Sequence, residues 1–251
     1  MKVCIVGAGA IGGWMGAKLA RGGHSVSVLA RGAALSAIRN NGLQLIEGDS
    51  TYIAKVTAAA SAGELETPDL LIIAVKAPGL RDAAVSVAPL IGPNTTVLTA
   101  MNGVPWWFFD RLDRPLAGAQ LTTIDATGEI AKSIPSRSVV GCVVHAACSV
   151  DAPGAIRHKM GARLIVGEPG GGLSPRLQAL HEALAAAGFE PESSDDIQRD
   201  VWFKLWGNMT MNPVSAITGA PCDRILDDEL VRGFCSAVMR EAQAIGARIG
   251  I

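Results

Sequence analysis

Residues 2–6, KVCIV, run straight into residues 7–12, GAGAIG, and this junction decides the fold. The first stretch is short, apolar and rich in β-branched side chains, which predicts a buried strand. The second fits G-x-G-x-x-G and opens a helical stretch over residues 11–21 that Gly22-Gly23 stops. On its own the motif is weak, because glycine-rich turns are common. Directly after a strand and at the start of a helix, it is the signature of a dinucleotide site. Gly7 permits the tight turn, Gly9 lets the backbone approach a pyrophosphate, and Gly12 lets the helix pack close on the strand. The helix start then offers unpaired N–H groups and a partial positive charge to the phosphates.

Outward from this point, β-branched runs alternate with alanine-rich helical stretches. Strands are predicted at residues 25–30, 70–75 and 95–100, and helices at 33–40 and 80–90. Residues 70–75, LLIIAV, are apolar on every side, as a central strand of a parallel sheet requires. Further strands are expected at 139–146 and 163–166, then a helix from Pro175 to Ala187. This order gives an α/β fold with an N-terminal Rossmann-type doubly wound sheet. After Phe189 the segment EPESSDD is polar, and from Ile197 every signal is helical, with Asp195 or Asp196 as the cap. A domain boundary is therefore placed near residue 193. Residues 1–193 are expected to form a dinucleotide-binding Rossmann-like domain, and 194–251 an all-helical C-terminal domain that reads as truncated. So short a piece must pack on the first domain, continue further, or pair with a second copy as a homodimer.

The chain has 251 residues, 49% of them hydrophobic, with 22 basic against 23 acidic side chains. A net charge of −1 lacks the basic face that a nucleic-acid partner needs. No stretch reaches the roughly 20 apolar residues of a membrane span, and no leader or lipidation signal precedes residue 2, so a soluble, cytoplasmic protein is expected. Cys4, Cys142, Cys148, Cys222 and Cys235 form no C-x-x-C pair and read as reduced thiols. His24, His145, His158 and His181 have no metal-ligand spacing, so no metal is expected. Tyr52 is the sole tyrosine and is followed by Lys55, one residue short of the Tyr-x-x-x-Lys pair of short-chain dehydrogenases, which excludes that class.

The end of the second strand bears on the choice of dinucleotide. NAD sites place Asp or Glu there for the ribose 2′-hydroxyl. Here no acidic residue occurs between Gly13 and Ile46, and the strand ends in Arg31, suited to grip a 2′-phosphate. NADP(H) is the predicted cofactor. Lys76 and Asn102-Gly103 follow strands on the same edge. They are read either as contacts to cofactor and substrate or as a surface lysine and a plain turn.

Residues 200–213 read DVWFKLWGNMTMNP. Lys204, Asn208 and Asn212 are spaced by four, hence displaced only about 40° per step round a helix. They form one polar stripe in a segment whose other residues are largely apolar, so the helix is expected to be buried on most sides. One explanation is a mutually satisfied set of buried polar groups. The other is a polar wall across an interdomain cleft, with Lys204 donating a proton to a carbonyl oxygen and the amides holding a small acid. The run Trp106-Trp107-Phe108-Phe109 reads as packing or as a lid beside the substrate.

Taken together, GAGAIG, the strand-end Arg31, VKAP, MNG and K-x-x-x-N-x-x-x-NP resemble the ketopantoate reductases (2-dehydropantoate 2-reductases), over essentially the whole chain. The resemblance implies an NADP-binding Rossmann domain followed by a helical domain, with the active site between them. It implies NADPH-dependent reduction of 2-dehydropantoate to (R)-pantoate in pantothenate and coenzyme A biosynthesis. By position it makes Gly7, Ala8, Gly9, Ala10, Ile11, Gly12, Arg31, Lys76, Asn102 and Ala147 cofactor contacts. Lys204 falls on the general acid, and Asn102, Lys204, Asn208 and Asn212 on substrate contacts. Cys222 stands where a further substrate asparagine is often found. The stretch from Trp106 to Val140 is longer than in simpler members. The serine loop and glutamate of the family lie past Ile251. The alternatives are an NADP(H)-binding protein without turnover, because that part is missing, or a reductase of another small 2-oxo acid.

Overall fold

The computed structural model describes residues 1–111 and 113–251. The strand and helix expected at the start are present as β1 (Lys2–Val6) and α1 (Ala10–Arg21). They are followed by β2 (Ser25–Leu29), α2 (Gly32–Asn41), β3 (Leu43–Glu47), β4 (Ser50–Ala54) and β5 (Thr57–Ala59). Next come β6 (Leu70–Ile73), α3 (Leu80–Val87), β7 (Thr96–Ala100) and α4 (Glu129–Ser133). A long hairpin, β8 (Val139–Ala152) and β9 (Ala155–Gly167), leads to α5 (Pro175–Ala186) and β10 (Glu190–Ser194). The chain finishes in α6 (Ile197–Thr218), α7 (Cys222–Asp227) and α8 (Glu229–Arg248).

The sheet runs β4-β3-β9-β8-β7-β6-β1-β2-β5, with β10 added along β9. Within it, β5-β2-β1-β6-β7-β8 are mutually parallel and follow the order of a dinucleotide-binding sheet, reversing direction between β1 and β6. Ligand crevices open at such a reversal, beyond the carboxyl ends of the strands.

Strand periodicity sorts the core into two layers. Val3 and Ile5 face the cluster built with α1 and α5, around Trp14, Met15, Leu19, Leu180 and Leu184. Cys4 and Val6 face the opposite cluster, where α3, Trp106, Trp107, Phe108 and the first turns of α6 pack. Trp106, Trp107 and Phe108 are therefore packing residues, 7%, 1% and 2% exposed, and Trp106 Nε1 donates to Ile134 O at 3.3 Å.

Several expectations need correction. The hairpin β3–β4 and the short β5 are strands that hydrophobic patterning did not reveal, and β8 and β9 extend well past the stretches expected. The polar run after Phe189 is not an extended linker: Glu190–Ser194 pairs in parallel with Arg163–Gly167, so residue 193 lies inside a strand of the main sheet. Helix α6 passes through Pro213 to Thr218, where Gly219 caps it at φ 68°. It is not buried on most sides. Val201, Trp202 and Thr210 are buried, whereas Phe203 is 53% and Ile217 85% exposed. Its N-terminal turns lie between the sheet and α8, where Trp202 Nε1 donates to Ala242 O at 3.2 Å, and α7 also packs beside it.

The close seat of α1 on β1 is the tightest feature of the fold. A Cβ on Gly12 would stand 2.1 Å from Gly7 O and 3.1 Å from the side chains of Ala74 and Ile5. Since backbone cannot yield as a flexible side chain does, Gly12→Ala must push the helix away from the sheet. Overpacking of this kind costs about 1–3 kcal/mol. The expected outcome is a lower urea midpoint for Gly12→Ala with an unchanged slope; a midpoint equal to that of the parent chain would show that α1 has room to move.

Candidate active site

The glycine loop joins β1 to α1 at the direction reversal. Gly7 adopts φ +99°, a conformation that side-chain-bearing residues rarely take, and its added Cβ would lie 2.8 Å from Ala74 O. At Gly9 an added Cβ would meet nothing within 4 Å, so the loop has open space where a ligand would approach. Gly9 is also the residue that caps α1 without a side-chain hydrogen bond, and the first turn carries no acidic residue. The N–H groups of that turn are thus left to a ligand rather than to the protein.

In front of the loop lies a cleft of about 770 Å³. It is lined by Gly7, Ala8 and Gly9, by Ala30, Arg31 and Ala34 at the end of β2, and by Ser61 and Ala62 after β5. Val75, Asp82, Ala83 and Ser86 close the far side. Arg31 is exposed and, among the described residues, makes no ion pair. Asp82, from α3, is the one carboxylate that the described residues contribute to this lining, and no local motif marks it. The end of β2 itself carries no carboxylate. A cationic strand end with an open glycine turn fits a dinucleotide bearing a 2′-phosphate better than one with a free 2′-hydroxyl.

A second, smaller pocket of about 320 Å³ opens at the end of β7. Asn102 lines it, in the turn that follows Met101. Val75 borders the first cleft and Ala77 the second, so the exposed Lys76 stands between the two. Thr123, Ile124 and Val201 also reach this pocket; they come from the long β7–β8 connection and from α6, and no spacing in the sequence singles them out.

Lys204, Asn208 and Asn212 lie along α6 beyond Val201 and outside both linings. Asn212 Nδ2 donates to Asn208 Oδ1 at 3.4 Å, so the amides form a continuous polar row. Asn212 is exposed while Lys204 and Asn208 are half-buried. Burial holds the Lys204 ammonium below the ordinary lysine range, and among the described residues no carboxylate pairs with it. One turn earlier, burial raises the Asp200 carboxyl above its usual value, partly offset by the Ser194 hydroxyl that donates to it at 2.5 Å.

His145, which has no metal-ligand spacing in the sequence, lies on β8. Burial lowers its pKa, and the nearby charges of Lys204 and Arg163 add to the effect. It begins a register shift in the β8–β9 ladder that runs from His145 to Ala147, which places Ala147 at an irregularity of the strand. Opposite it, Gly161 takes φ +76°, and a Cβ there would stand 2.5 Å from His145 O. Cys222 is exposed at the start of α7. Among the described residues, no group of three His, Cys, Asp or Glu side chains could hold a metal ion.

The start of α6 is anchored from the β7–β8 connection. Asp196 caps the helix by accepting from Arg199 N at 3.3 Å. Arg114 donates to the same carboxylate, and Arg111 Nη1 donates to Asp195 O at 3.0 Å.

Comparison with known proteins agrees with this arrangement. Residues 3–171 match the family model described as ketopantoate reductase PanE/ApbA, and residues 196–251 match its C-terminal counterpart. A 2-dehydropantoate 2-reductase of Mesorhizobium japonicum is 46% identical over 252 aligned residues, covering 100% of this chain and 77% of that protein. A crystal structure from Ralstonia solanacearum MolK2, provisionally named a ketopantoate reductase, superposes with a TM-score of 0.97 at 58% identity, over 99% of this chain and 77% of its own. A PanE/ApbA family ketopantoate reductase from Ralstonia eutropha JMP134 gives 0.80 at 30% identity, over 98% of this chain and 74% of its own. The chain belongs to the ketopantoate reductase family.

Proposed function

We infer that this chain is an NADP-dependent oxidoreductase that reduces 2-dehydropantoate to (R)-pantoate, the step of pantothenate biosynthesis that its relatives are named for. Kinship over the full length of the chain carries this reading. The cofactor, when bound, supplies the hydride. The glycine turn from Gly7 through Ala8, Gly9, Ala10 and Ile11 to Gly12 positions its pyrophosphate by backbone N–H groups. Arg31 would hold the 2′-phosphate, and Lys76, Asn102 and Ala147 would supply the remaining cofactor contacts. A nucleotide-binding unit followed by a helical unit, with the division expected at residues 193/194 falling at the end of β10 (Ser194), belongs to the same proposal.

Lys204 is the general acid. Its role is to donate a proton to the carbonyl oxygen of the 2-oxo acid as that oxygen gains charge. Desolvation favours this, because an ammonium held below its ordinary range gives up its proton more readily. Asn208 and Asn212 orient the substrate from the next two turns of the helix, and Asn102 does so from the sheet. No helix among the described residues is long and apolar enough to cross a membrane. With a small-molecule substrate and a biosynthetic role, this supports a cytoplasmic location. A homodimer belongs to the same proposal.

The decisive experiment is NADPH oxidation on addition of 2-dehydropantoate. Lys204→Ala should lower kcat by about 10²–10⁴ while leaving NADPH binding intact; nucleotide binding with no turnover in the parent chain would overturn the reading. The sign of the pH dependence follows from the acid's state. Lys204 works protonated, so kcat/KM should fall as pH rises through its lowered pKa, and the falling limb should vanish in Lys204→Ala. Arg31→Ala should raise KM for NADPH about tenfold or more, the value of a charge-assisted hydrogen bond, and leave KM for NADH nearly unchanged. Equal losses with both nucleotides would place Arg31 away from the 2′-phosphate.

A further inference from the structure

We propose that the cleft at the amino ends of β7 and β8 is a second binding site, built for the phosphate monoester of a small organic molecule. It lies apart from the nucleotide and oxo-acid sites and does not depend on the reductase reading.

The cleft measures about 700 Å³, close to the 770 Å³ of the glycine-loop cleft. Small-molecule sites occupy about 300–1,000 Å³. Its rim is formed by Thr95 and Thr96, where β7 begins, and by Ser138, just before β8. Asn102 follows the other end of β7, so the length of that strand separates this cleft from the crevice at the carboxyl edge.

Charge identifies the ligand. Lys132, Arg137 and Arg176 line the cleft, and among the described residues no carboxylate does. The three cations are not equivalent. Arg176 is already occupied: Nε donates to Glu168 Oε1 at 2.8 Å, Nη1 to Arg137 O at 2.5 Å and Nη2 to Val139 O at 3.1 Å. Lys132 and Arg137 are exposed and, among the described residues, pair with no carboxylate. Two uncompensated cations lining one cavity repel each other, and an anion between them relieves the repulsion. A phosphate monoester brings a charge of about −1.5 to −2 at neutral pH and three strong acceptor oxygens. A carboxylate brings less charge and fewer acceptors.

Both charges stand on fixed backbone. Asp125 accepts from Ile130 N at 3.2 Å and from Ala131 N at 2.9 Å, which holds α4 just ahead of Lys132. Arg176 pins the carbonyl of Arg137 itself, and Ser138 N donates to Pro135 O at 2.9 Å. Across the cleft, Thr95 Oγ1 donates to Pro68 O at 2.8 Å and accepts from Gly92 N at 3.1 Å, bracing the turn between α3 and β7. The walls are therefore preformed, and binding has little to order beyond two side chains.

The rest of the lining suits an organic body rather than a bare ion. Ile91, Pro93 and Pro135 offer apolar surface, and Asn94 and Ser133 offer an amide and a hydroxyl. With a net charge of −1 the chain lacks the basic face that a nucleic acid requires. The positive charge is confined to a concavity of small-molecule size.

The test is made on the full chain saturated with NADPH, so that the glycine-loop cleft is filled. Calorimetric titration with phenyl phosphate should report one site. Inorganic phosphate should bind about tenfold more weakly, since it has no ring to remove from water. The double variant Lys132→Ala/Arg137→Ala, altered only at exposed side chains, should weaken phenyl phosphate by about tenfold or more, the strength of a charge-assisted hydrogen bond. Its NADPH affinity should stay within about twofold of the parent's, as expected for residues outside the nucleotide cleft. No heat with phenyl phosphate in the parent chain, or a titration unchanged in the double variant, would overturn the proposal. So would a loss of NADPH affinity on adding phenyl phosphate, which would move the ester to the glycine-loop cleft. Equal affinities for phenyl phosphate and inorganic phosphate would overturn the assignment to an ester. Failure of the chain to oxidise NADPH with 2-dehydropantoate would leave all of these results standing and count against the reductase reading alone.

Discussion

Everything in this molecule is arranged around the contact of one helix with one strand. The added Cβ at Gly12 would stand only 2.1 Å from the carbonyl oxygen of Gly7, and no other residue type can occupy that position without moving α1. Because α1 lies this low, its first turn presents N–H groups to the crevice at the sheet's reversal, and the end of β2 falls alongside. Arg31, the Ser61 turn and the start of α3 then become walls of a single cleft. The cleft thus follows from a packing constraint: the helix can be an anion site only because it is seated on the sheet without a side chain between.

A second constraint acts on the other side of the sheet. Helix α6 brings a lysine and two amides along a face that is half-buried, where water is partly excluded and no carboxylate among the described residues compensates the charge. Such a lysine is an expensive ornament for stability. It is a sensible acid for a reaction in which a carbonyl oxygen becomes negative. The neighbouring Asp200 is directed to Ser194 rather than to the ammonium, so the proton on Lys204 remains available.

Much of this was legible in the residues, and the exceptions have physical causes. KVCIV, LLIIAV and the alternating SVSVL announced themselves because a central parallel strand must be apolar on both faces, or on one. GAGAIG carried its meaning because strand and helix flanked it. The strand Glu190–Ser194 was hidden because its stability comes from the backbone of β9: EPESS has a proline and two carboxylates, which suit an outer strand with mostly exposed side chains. The hairpin of β3 and β4 was hidden by its shortness and by exposed Thr51 and Ile53. On α6, the spacing of Lys204, Asn208 and Asn212 fixed the polar stripe, yet the apolar residues around it suggested deeper burial than the neighbouring helices provide. Pro213 lacks an N–H, yet a helix held by its neighbours passes over the one missing bond. Thr123, Ile124 and Val201 meet through tertiary folding alone, and no spacing rule could have joined them.

The bond between Asp196 and the arginines of the β7–β8 connection has a consequence for how such a protein changes over generations. The same carboxylate that starts α6 also tethers the segment that contributes Trp106, Trp107, Thr123 and Ile124 to the second pocket. Substitutions that remove Arg114 should therefore be felt first at the start of α6, and changes that compensate for them are expected around the helix cap.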